Sequence, residues 1–97
     1  MGPTKQIREG TKIEQILEGT EFEKHIKKLK ENRVNCFEDI LILHRNELRM
    51  GEVLKKCTDD NDDEINKLKD FFSKKIIKFR SHLKEVYNIN RKRLYNN

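Results

Sequence analysis

Tryptophan is absent from this 97-residue chain, proline occurs once, and the last of its four glycines is Gly51. The 46 residues after Gly51 therefore contain neither of the residues that break a helix most strongly. No apolar run approaches the roughly 20 residues needed to span a bilayer, and no secretory hydrophobic segment follows Met1. The two cysteines, Cys36 and Cys57, lack a close metal-ligand spacing and read as reduced, mostly buried thiols, with a disulfide as the other possibility. His25, His44 and His82 lie far apart in sequence, and no third or fourth ligand joins His44 and Cys36 at usable spacing. There is no nucleophile elbow, phosphate-cradling glycine loop or zinc ribbon. The acidic run Asp59-Asp60-Asn61-Asp62-Asp63-Glu64 lacks the alternating ligands, central glycine and distant glutamate of a calcium loop. The expectation is a chain with no catalytic residues, no metal and no cofactor.

What is present is charge and period. Charged residues make up 40% of the chain and hydrophobic ones 34%, which limits it to one small domain with a modest core. The apolar residues are nevertheless ordered. From Asp62 through Tyr87 they fall at Ile65, Leu68, Phe72, Ile76, Phe79, Leu83 and Val86, in steps of three and four. That is the stripe of an amphipathic helix, with Phe71 and Ile77 widening it. Its back is mostly cationic: Lys67, Lys69, Lys74, Lys75, Lys78, Arg80 and Lys84. The acidic run at its start suits the positive end of the helix dipole. A helix this long needs a partner surface, which the preceding residues are expected to supply.

Those residues read as shorter helices. Residues 1–10 have no apolar period and are expected to be disordered. Thr11-Lys12-Ile13-Glu14 fits a capping box; the helix after it would bury Ile13, Ile16 and Leu17 and stop at Gly19. Thr20 through Glu23 is a second box, opening a helix with Phe22, Ile26 and Leu29 inward and reaching toward Arg33. Asn35 is a cap for a third helix carrying Phe37, Ile40, Leu41, Ile42 and Leu43, apolar almost all round and so expected mid-bundle. After Asn46 comes a short helix with Val53, Leu54 and Cys57, Gly51 marking a turn or a close approach. No strand-like alternation occurs. The predicted fold class is all-α, a compact bundle of four to five helices over residues 11–87 with a long C-terminal helix, followed by a basic, Asn-rich tail at 88–97.

Lysine plus arginine exceed aspartate plus glutamate by 22 − 17 = 5. The lysine face and the tail's Arg91-Lys92-Arg93 would attract phosphates, so a nucleic-acid-binding helical domain is one functional reading. A self-associating structural bundle, using the wide apolar face at Phe71 and Ile77, is another.

A third reading comes from resemblance. The succession of a basic helix with Ile26 and Leu29, then Val34, then Leu48-Arg49-Met50-Gly51, then Leu54 and Cys57, then an acidic loop, then Ile65, Leu68, Phe72, Ile76 and Phe79 resembles the N-terminal domain of transcription elongation factor IIS. That family includes the integrase-binding domain of the LEDGF chromatin tether. Leu48-Arg49-Met50-Gly51 stands for the family's Thr-Arg-Ile-Gly element, and the resemblance covers about Leu17 to Leu83. The family's Leu-Trp pair is missing, with Ile76 in place of the Trp, as in the integrase-binding branch. The stretch Val34 to Met50 is about one helical turn longer than in the family. The loop before the last helix is acidic where that branch carries an aromatic.

The resemblance implies a protein-binding module of a nuclear transcription elongation or chromatin factor. It would take short disordered peptide motifs with apolar anchors beside acidic residues. Of the family's binding loops the resemblance places one at Leu17-Glu18; with it the apolar side chains Phe22, Phe71 and Phe72 are expected to seat the anchors, and Lys74, Lys75 and Lys78 with the tail cations Arg91, Lys92 and Arg93 to form a basic rim.

Overall fold

The computed structural model describes residues 7–95, with side chains through residue 88. It is all-α. The helices are α1 (Ile13–Leu17), α2 (Ile26–Glu31), α3 (Phe37–His44), α4 (Glu47–Thr58) and α5 (Asp62–Tyr95), with a 3₁₀ turn at Glu23–His25 leading into α2.

Most starts are held by polar side chains, often one residue from where the sequence places them, while α2 starts at Ile26 with no side-chain cap. Thr11 does not cap α1; its hydroxyl accepts from the Arg8 N–H at 2.8 Å, and Gln15 Oε1 accepts from the Lys12 N–H at 3.3 Å. The turn at residues 8–11 is thus ordered, and the Glu38 N–H donates to the Glu9 carbonyl at 2.9 Å, so residues 7–10 belong to the fold rather than to a disordered start. Thr20 donates to the Leu17 carbonyl at 2.7 Å, and Glu23 Oε2 accepts from the Gly19 N–H at 3.3 Å. These bonds hold a loop here, and the regular helix waits until Ile26. Asp39 accepts from the N–H groups of Asn35 and Cys36, making Cys36 rather than Asn35 the first residue outside α3. Asn46 caps α4 through the Arg49 N–H at 3.1 Å, and Asn61 caps α5 through the Glu64 N–H at 3.2 Å.

The ends are equally local. Gly19 takes φ +77° just after α1, a conformation glycine adopts without steric cost. Helix α2 closes when Arg33 turns left-handed (φ 67°) and the Val34 N–H reaches the Leu29 carbonyl at 2.9 Å, with both side chains buried in the core. Gly51 is neither a turn nor a point of close approach: it lies inside α4, and a Cβ there would meet nothing within 4 Å.

The core is one cluster. Ile13, Ile16 and Leu17 from α1, Leu29, Phe37, Ile40, Leu43, Met50, Val53, Leu54 and Cys57 join Ile65, Leu68, Phe72 and Ile76 of α5. Helix α4 packs along α5, α3 lies against both, and α2 bridges α1 and α4. Helix α3 is not central, because Ile42 is 56% exposed.

One helix dominates the shape. At about 1.5 Å per residue, 34 residues make α5 roughly 51 Å long, whereas the 12-residue α4 reaches only about 18 Å. The radius of gyration, 15.7 Å, exceeds the roughly 12.5 Å expected of a compact chain this size. The shorter helices cannot roof α5, and it projects beyond them.

Candidate interaction surface

The apolar stripe of α5 has two parts. Ile65, Leu68, Phe72 and Ile76 are buried in the core, and Phe79 is half-buried, its ring edge-on to Phe37 with centroids 5.0 Å apart. Beyond Phe79 the same face goes on, but Leu83 is 49% and Val86 40% exposed. Both were expected inside. Tyr87 and Ile77 are each 64% exposed; Tyr87 borders the stripe, while Ile77 lies well round the helix from it. The helix also runs to Tyr95, past the expected end at Tyr87.

Charge around this open part has one sign for most of its length. Lys78, Arg80 and Lys84 are exposed, and Glu85 is the one carboxylate between Asp70 and Asn88. Lys74 is already engaged with Asp70 at 2.9 Å across one helical turn, and Lys75 lies over the Phe71 ring, 5.2 Å from its centre. Arg91, Lys92 and Arg93 fall within the described backbone of α5, but their side chains lie outside what is described.

The five residues expected to seat a partner divide differently. Leu17 is 0%, Phe22 4% and Phe72 1% exposed; they are spent on the chain's own core and have no face left for an anchor. Phe22, Phe71 and Phe72 do come together, with Phe22 to Phe71 centroids 5.2 Å apart and Phe71 to Phe72 6.0 Å. Only Phe71, half-buried beneath Lys75, and Glu18 remain accessible. Leu83, Val86, Tyr87, Arg80 and Lys84 are the surface the sequence reading did not select. The signal that could have found them is length: seven stripe positions cannot be covered by helices of 12 residues or fewer.

A second concave region lies at the opposite end of α5. An open groove of about 330 Å³ runs between α2, the end of α4 and the start of α5. Its polar groups satisfy one another. Glu64 Oε1 lies 3.1 Å from His25 Nε2 and 3.3 Å from Lys24 Nζ, and Lys28 holds Asp59 at 2.9 Å. The hydrogen bond with His25, then that with Lys24, keeps the Glu64 carboxyl below its ordinary pKa. Nearby Cys57 is free and buried, and desolvation pushes its thiol up to about 11, far from the thiolate that nucleophilic chemistry requires. Among the described residues, no group of three or more His, Cys, Asp or Glu side chains is placed to hold a metal, and no helix is long and apolar enough to cross a membrane. No family model, curated protein or solved structure matches this chain.

Proposed function

We propose that this chain is a non-catalytic protein-interaction module that captures a short segment of a partner protein on the free part of α5. One observation carries the reading: the apolar stripe that builds the core continues past Phe79 into solvent, on a segment whose exposed charges, Lys78, Arg80 and Lys84 against Glu85, are net positive. An apolar strip supplies the anchor energy of an interface, and a basic rim steers and orients acidic flanks. The resemblance to the elongation factor IIS N-terminal domain agrees with such a role and extends it to partners among nuclear transcription elongation and chromatin proteins. The seat differs from the one implied by that resemblance, because Leu17, Phe22 and Phe72 are enclosed.

The test is a titration of the isotope-labelled chain with acidic–aromatic peptides. Saturable shifts on one apolar surface support the reading. Shifts spread over the lysine face that vanish steeply with added salt, reproduced by arbitrary duplex DNA, would replace it with nucleic-acid binding.

A further inference from the structure

We infer that the occupant of the free stripe is an acidic amphipathic helix of a partner protein, seated in the corner where the bundle ends. The inference rests on the interaction reading above and adds the partner's class and its pose.

The corner is a step. Phe37, the first residue of α3, meets Phe79 at 5.0 Å, so the bundle's edge stands on the same side of α5 as the open stripe. A helix is about 10–12 Å across with its side chains. A body of that width fits against Leu83 and Val86 with its end abutting the bundle, extending the packing that α3 already makes on α5. A flat membrane does not fit, because the bundle would meet it before the stripe did. The open stripe covers about two helical turns from Phe79 to Val86, which suits helix-in-groove recognition by anchors three and four residues apart.

Charge selects the partner's sign. Arg80 borders the stripe, Lys84 and Glu85 lie equally far round the helix on its two sides, and with Lys78 the exposed charge of the projecting segment is net positive. A second copy of α5 would bring like charges together along this seam, which is unfavourable in helix pairs. The chain's own residues 1–6, Met-Gly-Pro-Thr-Lys-Gln, are polar and add a further cation. A helix with leucines on one face and glutamates beside them answers both features.

The experiment uses the full chain and two synthetic helices, one leucine–glutamate and one leucine–lysine, followed by NMR at near-physiological salt. The expected result is saturable binding of the acidic helix with shifts at Phe79, Leu83, Val86 and Tyr87, and none from the basic helix. Arg80→Glu with Lys84→Glu should weaken the acidic helix at least tenfold and admit the basic one; both positions are exposed, so folding is retained, and Leu83→Asp gives an independent loss. Failure of the acidic helix to shift these residues, or equal binding of both helices, overturns the inference. If an acidic–aromatic peptide instead shifts these same residues, the interaction reading survives alone; if only phosphatidylserine vesicles or duplex bind, both fall. Concentration-dependent dimerisation through Leu83 would also overturn it, assigning the stripe to a second copy.

Discussion

Ile76 and Leu83 lie on the same face of α5, seven residues apart, yet their burial gives them different energetic roles. Ile76 is 1% exposed and surrounded by the core, whereas Leu83 is 49% exposed on the projecting part. Truncating a buried isoleucine to alanine costs about 2–5 kcal/mol through lost transfer energy and the cavity left behind. A domain of this size has only about 5–15 kcal/mol of stability in total, so Ile76→Ala removes a large fraction of it. At Leu83 half the side chain stays wet in the folded state and no enclosed cavity forms, so Leu83→Ala should cost less than about 1 kcal/mol. With roughly 4–8 °C lost per kcal/mol in a small domain, the two variants should differ by at least ~5 °C in Tm. Thermal melts at two protein concentrations provide the assay. Comparable losses in both variants would refute the reasoning, because Leu83 would then be covered, by the bundle or by another copy.

The remaining predictions concern other parts of the fold. Gly19→Ala should destabilise by about 1 kcal/mol, since alanine resists the left-handed φ of +77°, while Gly51→Ala should stabilise by a similar amount because it sits in open space inside α4; paired denaturation curves should show the opposite signs. Glu64 has its pKa depressed on folding by His25 and Lys24, so its contribution is present above the ordinary carboxylate pKa and is lost as pH falls through the lowered folded value. Glu64→Gln should accordingly flatten the acid limb of stability against pH in that window, and an unchanged slope would show that the contact does not form in solution. The Cys57 thiol, buried and pushed up to about 11, should stay unmodified by a thiol reagent at neutral pH until the chain unfolds, as peptide mapping would show.

Much of the architecture was legible from period and caps. The three- and four-residue steps through Ile65, Leu68, Phe72 and Ile76 found the buried face of α5, and Ile13, Ile16 and Leu17 were placed inward correctly. The starts of α1 and α3 were found to within a residue and that of α2 was missed by several, because Thr20 and Glu23 hold a loop; which oxygen reaches which N–H also depends on the loop, so Thr11 serves the turn before α1 and Gln15 does the work assigned to Glu14. Period alone fails where coverage matters. It states which residues share a face, not how far a neighbour extends along it, so Leu83 and Val86 looked like core. The same limit misplaced Ile42, since a helix apolar all round can still end at the surface. The aromatic cluster of Phe22, Phe71 and Phe72 was anticipated as a group, yet as a seat for a partner it is closed by its own packing. An anchor site needs vacant apolar surface, and vacancy is a property of the assembled fold.

The claim on which the rest depends is that α5 leaves the bundle as one straight rod. A spin-label distance between positions 63 and 88, with Cys36 and Cys57 replaced by serine and alanine, measures it directly. A continuous helix places those backbone positions about 38 Å apart in a single narrow distribution. A distance shorter by 10 Å or more, or two populations, would mean that the helix breaks or folds back and that the stripe beyond Phe79 is not open.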